Sequence, residues 1–363
     1  MSISKKPQRM RLLASVAATC LVCATGFAAH AQSAKQFYSG KSLRFIIPAG
    51  AGGGYDSYYR LFARHVSEHI PGHPRIIDEN MPGAAGMRAT NWLYTAAPKD
   101  GTVLGSTFNT LLTEPLLGDT QTQYDPTKFE WIGSLNTQYN ACTVWHSSPI
   151  KTIQDAMKQQ VLVSTTGFAG NTAKTPLMLN KLIGTKFKLI AGYSTTGMRL
   201  AVERGEVQGV CGLSYDTFQV ANPEWLKDHK VRFIIQTGPR KIKELPNVPL
   251  LINFVHDPKQ RAALKVLDVG QDVGRPIMFP PGTPKYLVDA LRTAFVATMK
   301  DHAFLADAHR MRIDPHWMSG AASEKEIQEA YKTPKDVVEL TAELWPPATH
   351  AASADKSAAK PAK

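Results

Sequence analysis

Gly50, Gly52, Gly53 and Gly54 crowd one short stretch and are followed at once by Tyr55 and Asp56. Residues of these types can hold an anion through the main chain. Leu43 to Ile47 is an apolar, β-branched run that suits a buried strand. After the glycines, Tyr59, Phe62, Ala63 and Val66 recur at i, i+3, i+4, i+7, a helix for which Asp56 is the expected N-cap. Glycine lets a ligand approach the backbone closely. The unpaired N–H groups of a helix start, with the positive end of its dipole, attract negative charge. The plainer alternative is that the glycines only permit a tight turn. A second polar turn, Thr165-Thr-Gly-Phe-Ala-Gly-Asn-Thr172, follows the strand-like Val161 to Ser164, and a third, Tyr193-Ser-Thr-Thr-Gly197, precedes a helix over Met198 to Arg204.

Other chemistries fail on spacing. The dinucleotide fingerprint puts a third glycine where Tyr55 stands, and a phosphate loop needs Lys-Ser/Thr where the chain has Tyr55-Asp56. Gly212-Leu-Ser-Tyr ends in Asp216 instead of the last glycine of a nucleophile elbow, and no His-Glu-x-x-His occurs. His65 and His69 lie at i, i+4 with His73 nearby, but Pro71 ends their helix, and they read as solvated histidines that complement its dipole. Glu203 and Glu206 read as solubility charge. The residues argue for binding and against catalysis, with no cofactor and no metal.

Strands and helices alternate with short connections, which predicts mostly parallel sheets. Arg75 to Asp78, Val103 to Ser106, Ala141 to Trp145 and Arg232 to Gln236 read as strands, and another ends near Ser214 to Asp216. Helices are expected through Trp92 and Leu93, from the capped start in 148–155, around Leu177 to Leu182, and around 285–299 and 335–345. The pattern is two α/β units whose polar turns lie beyond the carboxyl ends of strands and face a cleft.

The chain has 363 residues and a formal net charge of +12. Lys5, Lys6, Arg9 and Arg11, an apolar run from Leu12 to Phe27, and Ala29-His-Ala31 make residues 1–31 a secretory signal peptide. No later stretch reaches the ~18 apolar residues of a membrane span, so with its signal removed the mature chain is expected in the periplasm or outside the cell, and the periplasm is the working location. The Pro-, Ala- and Lys-rich stretch 346–363 reads as a disordered tail. The remaining positive charge suits small anions. No basic run interleaved with aromatics speaks for nucleic acid. After cleavage Cys142 and Cys211 remain, where a disulfide is allowed and two buried thiols fit equally well.

Six motifs then occur in an order that resembles the Bug-type solute receptors of tripartite tricarboxylate transporters. They are Ile47-Pro-Ala-Gly-Ala-Gly-Gly-Gly-Tyr-Asp56, Glu79-Asn-Met-Pro-Gly-Ala-Ala-Gly86, Ala97-Pro-Lys-Asp-Gly-Thr-Val-Leu104, Tyr124-Asp-Pro126, Arg240 with Leu245-Pro-Asn-Val-Pro249, and Pro280-Pro-Gly-Thr-Pro284. The resemblance spans about Ser42 to Leu344. It implies an α/β, two-domain periplasmic-binding-protein type II fold, a Venus flytrap with its ligand cleft between the domains. It also implies a discontinuous first domain over 35–137 and 269–345, with a second over 138–268. The ligand would be a small organic carboxylate held mainly by main-chain N–H groups. By position the site residues are Gly50, Gly52, Gly53, Gly54, Tyr55 and Asp56 of the first turn, Thr165, Thr166, Gly167, Phe168, Gly170, Asn171 and Thr172 of the second, and Asp216. The first turn departs from the family in having Ala49-Gly50-Ala51 where a second proline is usual. The second, Gly167-Phe-Ala-Gly170, is one residue wider than usual.

The implied function is that of a monomeric receptor that captures the carboxylate and delivers it to the membrane permease subunits of the transporter. A receptor presenting its ligand to a membrane sensor is the alternative, and an exported α/β enzyme a more distant one. Tyr55, Phe108, Phe168 and Tyr215 are expected beside the ligand, although Phe108 would serve equally as an ordinary core ring. Asp216 either faces a ligand ammonium or hydroxyl, or turns away to accept backbone N–H bonds.

Overall fold

The computed structural model describes residue 1 and residues 33–168, 170–313 and 315–347. The expected leader, Met1 apart, and the tail beyond residue 347 lie outside these described residues. Two sheets carry the fold. The first consists of β1 (Ser42–Ile47), β2 (Arg75–Asn80), β3 (Val103–Ser106), β4 (Glu130–Ser134), β10 (Pro276–Phe279) and β11 (Met318–Ser319), in the order β11-β4-β10-β3-β1-β2. The second consists of β5 (Asn140–Trp145), β6 (Val161–Thr165), β7 (Phe187–Ala191), β8 (Gly209–Ser214) and β9 (Val231–Gln236), in the order β7-β6-β8-β5-β9.

Helices α1 (Ala34–Tyr38), α2 (Gly54–Val66), α3 (Met87–Thr95), α10 (Lys285–Lys300), α11 (His302–Arg310) and α12 (Gly320–Ala330) accompany the first sheet. Those with the second are α4 (Ile153–Lys158), α5 (Asn171–Ile183), α6 (Thr195–Glu203), α7 (Tyr215–Ala221), α8 (Pro223–Lys227), α9 (Pro258–Asp272) and α13 (Lys335–Leu344). No described helix is long and apolar enough to cross a membrane.

The apolar run of β1 is buried on both faces, at Leu43, Phe45, Ile46 and Ile47. Phe45 meets the α2 rings Tyr59 and Phe62 edge-on, with centroids 5.6 and 6.2 Å apart. Each such ring stabilises the fold by roughly 1.5–3 kcal/mol through area removed from water. This packing fixes the start of α2 over the carboxyl end of β1, where the glycine turn lies.

The sheets are mixed and not mostly parallel. β1 runs parallel to β2 and β3, and β6 runs parallel to β7 and β8. By contrast β10 is antiparallel to β3 and β4, β11 to β4, and β5 to β8 and β9. The reason lies in the connectivity. β4 and β5 flank one passage between the sheets, while β9, α9 and β10 carry the other, and the first strand after each passage, β5 or β10, enters its sheet against the local direction.

The two passages run side by side. The Leu135 N–H donates to the Arg275 carbonyl (3.0 Å), and the Gln138 N–H donates to that of Gln271 (2.7 Å). A Cβ on Gly274 would lie 2.7 Å from Gln138 Cβ and 2.8 Å from the Asn136 carbonyl, so only glycine allows this approach. On the second sheet, Cys142 of β5 and Cys211 of β8 are register partners, and they form a disulfide. Both are fully buried. Helix α13 packs on α9 and α5, and its Val337 and Leu344, with Trp345, join the core that contains Val163 and Leu179.

Candidate ligand-binding cleft

A cavity of about 780 Å3 opens between the sheets. Its first wall is the turn from Pro48 to Tyr55, exposed from Gly50 to Gly54. Helix α2 begins with Gly53 as its N-cap (φ −87°, ψ 170°), and no side chain caps it. Asp56 is therefore not the N-cap but stands in the first turn of the helix. From there it reaches back to accept the Gly52 N–H (2.9 Å), while Arg60 (2.9 Å) and Asn80 (2.8 Å) donate to its other oxygen. Burial opposes ionisation of Asp56, but the bonds from Asn80, Gly52 and Arg60 outweigh it and hold the carboxyl below the usual range. Asn80 also donates to the Ala49 carbonyl (2.8 Å). Gly52 has φ +82°, a value that side chains resist, whereas Gly53 has ordinary extended angles.

Tyr55 places its ring on the cavity and its hydroxyl on the passages between the sheets. The oxygen lies 2.7 Å from Gln138 Oε1 and 3.0 Å from the Gly274 carbonyl, and it accepts the Asn109 N–H (3.3 Å). Burial pushes this phenol up to about 12, so it remains a donor. The expected ligand platform is therefore also a pin between the two passages. Its ring stacks edge-on with Phe108 at 4.5 Å, and Phe108 lines the cavity too.

Of the other expected site residues, Asp216 lines this cavity, near the start of α7. Thr165, Thr166, Gly167, Phe168, Gly170 and Thr172 are not on its wall. They form a compact turn in which Thr165 Oγ1 meets Thr172 Oγ1 at 2.8 Å, and Gly170 is an N-cap of α5 without side-chain help. Asn171 lines a smaller cavity of about 280 Å3, together with Asn109, Asn140 and Asp268. Tyr215 stacks on Phe233 and lines a separate cavity.

Several lining residues go beyond those expected from the sequence. The loop after β2 contributes Pro82, Gly83, Ala85 and Gly86, and it holds Ala84 and Ala85 in the left-handed region at φ 45° and 50°. Such strain gathers at functional sites. The glycines of this loop repeat the signal of the first turn and are open to the same interpretation. Ser194, the N-cap of α6, joins Arg199 of α6 and Thr217 of α7 from the second sheet's side.

Arg275 leaves no signal in the sequence, since an isolated arginine before a strand is ordinary. It is 1% exposed, its Nη2 lies 2.7 Å from Asp216 Oδ2, and its guanidinium sits 3.7 Å from the centre of the Tyr58 ring. Burial works against its charge, but Asp216 and then Tyr58 outweigh this, and the group is held cationic. Asp216 thus accepts no backbone N–H among the described residues: it forms an ion pair with Arg275 and stays on the cavity wall. The histidines also find acids: His65 Nε2 lies 3.1 Å from Asp307 and His69 Nε2 3.2 Å from Asp301. Glu203, expected as plain surface charge, accepts the Trp225 indole N–H (2.8 Å).

In the smaller cavity, burial and then the neighbouring Asp272 push the Asp268 carboxyl up to about 7. The folded chain therefore holds this proton more tightly than the unfolded chain, whose aspartates titrate near ~3.9. Stability from Asp268 is full below the unfolded value and is lost as pH rises through about 7. Asp268→Asn is expected to remove that slope, so that urea midpoints of variant and parent diverge steadily between about pH 4 and 7. A constant difference over that range would contradict the assignment.

The model of the tripartite tricarboxylate transporter family receptors matches residues 59–342. A UPF0065 protein of Bordetella bronchiseptica is 24% identical over 265 residues, covering 70% of this chain and 72% of its own. Among solved structures, the periplasmic binding protein BugD superposes with a TM-score of 0.63 at 19% identity, over 85% of this chain and 98% of its own. MatC from Rhodopseudomonas palustris, solved with bound malate, does so with a TM-score of 0.61 at 20% identity, over 82% and 99%. At such identities the likeness is one of fold.

Proposed function

The chain belongs to the receptors of the tripartite tricarboxylate transporter family, and we propose that its 780 Å3 cleft captures a small organic carboxylate for delivery to membrane permease subunits. One observation carries this reading. Helix α2 opens onto the cavity behind an exposed glycine turn with no side-chain cap, so its first N–H groups await an acceptor from outside. Arg275 lies beneath, its Nη2 3.9 Å from where a Gly54 Cβ would stand, and its pairing with Asp216 keeps that carboxylate from repelling an anion at the turn. The malate held by the Rhodopseudomonas relative is of the chemical class this wall suits.

Helix α5 repeats the device, with Gly170 as an N-cap that no side chain completes. We assign Thr165 to Thr172 to the opposing wall, brought up as the lobes close about the passages at 135–139 and 273–275. We place α13 with the second lobe, on whose core Leu344 and Trp345 pack. The working location is the periplasm, the chain acts as a monomeric receptor, and it is not an enzyme. Delivery to a permease is favoured over presentation to a sensor because the family is named for its transporter.

Mass spectrometry of the denatured protein, followed by calorimetry with the acid so identified, tests the reading. Gly53→Val fits the local backbone, and its Cβ would stand on the cavity wall 3.9 Å from the Gly50 carbonyl, an ordinary contact. It is expected to weaken carboxylate binding at least about a hundredfold with little change in melting temperature, because it blocks approach to the N–H groups. Unchanged affinity in that variant, or a protein that binds no organic acid, would overturn the proposal.

A further inference from the structure

The Arg275–Asp216 pair joins the two lobes at the cavity wall, and its two members are unequally satisfied. Arg275 is clamped from every side. Its carbonyl accepts the Leu135 N–H, its own N–H donates to Ser134 Oγ (3.0 Å), and its guanidinium carbon sits 3.7 Å over the centre of the Tyr58 ring. Nε and Nη1 are buried without an acceptor among the described residues, so the guanidinium has no better partner to turn to than Asp216. On Asp216, both contacts fall on Oδ2, from Arg275 at 2.7 Å and from Asn136 Nδ2 at 3.4 Å. Oδ1 has no hydrogen-bond partner among the described residues, and Asp216 lines the cavity.

Resting on the carboxylate reading of the glycine turn, we propose that Asp216 Oδ1 is a specificity-determining acceptor, which makes this a receptor for carboxylates that also carry a hydroxyl or ammonium group. Arg275 neutralises most of the repulsion that Asp216 would otherwise exert on a ligand carboxylate, since opposite charges in contact cancel at a distance. The bare oxygen still demands a donor. When the lobes close over an acid that has one, a charge-assisted hydrogen bond forms. When they close over the same acid without it, Oδ1 loses its water and gains nothing, and a site built to meet a donor rejects such an analogue strongly. The other cation on the wall, Arg199, lies on α6 and leaves room for a second carboxylate without altering the demand at Asp216.

Matched acids differing only by the donor decide this in the parent protein, with no variant needed. Succinate, malate and aspartate form one such set, glutarate, 2-hydroxyglutarate and glutamate another, and benzoate with mandelate and phenylglycine an aromatic one. Calorimetry is expected to show a donor-bearing acid binding at least about tenfold tighter than its plain partner in the set that binds best. In Asp216→Asn, which is isosteric and uncharged, the preference for the amino acid over the plain acid should fall about tenfold or more while the plain acid binds as well or better. Plain acids that bind as tightly as their partners would sink the inference and leave the carboxylate receptor standing, as would a variant that keeps the full preference. A parent protein that binds no acid in any set would overturn both.

Discussion

Replacing Lys174 by methionine lowers the stability of the folded chain by about 3–5 kcal/mol, the usual consequence of stranding one charge of a buried pair. Lys174, on α5, is fully buried, and its ammonium lies 2.5 Å from Glu114 Oε1, itself 2% exposed. Glu114 belongs to the loop whose Leu116 and Leu117 reach from the first sheet's side onto the second sheet's core. Methionine fills the space of the lysine stem but leaves the carboxylate in a low-dielectric setting with its main cation gone. Chemical denaturation should show the loss, and the double variant Lys174→Met with Glu114→Leu should recover most of it, since two apolar groups of matched size replace the pair. If the single variant is as stable as the parent, the pair carries no structural load. If the double variant falls as far as the single one, shape and not charge is what the site requires.

Removing the disulfide is the second large effect expected. Cys142 and Cys211 are separated by 69 residues in sequence, a span that includes α4, β6, α5, β7 and α6. Closing a loop of that length limits the unfolded ensemble, and losing a native bridge typically costs about 2–5 kcal/mol. Paired replacement by alanine and valine, or reduction with dithiothreitol, should lower the melting temperature while the six-stranded sheet keeps its hydrogen-exchange protection. The two cysteines face each other across β5 and β8, so the fold itself holds them in contact. A variant without the bridge that melts with the parent would show that strand pairing alone sets this region's stability.

The first sheet is largely legible in the sequence because its signals are local. An apolar run, a glycine cluster and a helical repeat follow one another within 25 residues of Ser42, and the structure keeps that order as β1, turn and α2. Strand direction is not legible, because it depends on where the chain passes between lobes, and no local residue pattern records that. Helix α9 carries ordinary signals that its surroundings obscure: Asp257 caps it, Pro258 starts it, and Ala263, Leu264, Val266 and Val269 are buried. Its place after a long irregular stretch hides it. Tyr55 lies on the wall its position suggests, but its hydroxyl bonds join residues 54, 83 and 219 positions away, which sequence spacing cannot announce. Arg275 lies beyond reach for the same reason, since its meaning comes from Asp216 and Tyr58 and not from its neighbours in the chain.

The bonds that bind Asp56 to Gly52, Arg60 and Asn80 have a kinetic consequence. A loop of bare glycines would sample many shapes, and a ligand would have to wait for the one that fits or organise it after contact. Here the shape is imposed from inside the protein before any solute arrives, and it draws on β2 as well as α2. Encounter with the open lobe can then proceed at rates set by diffusion and charge, leaving lobe closure as the slower event. Two phases should therefore appear in stopped-flow binding: one whose rate rises linearly with solute concentration, and one that reaches a plateau.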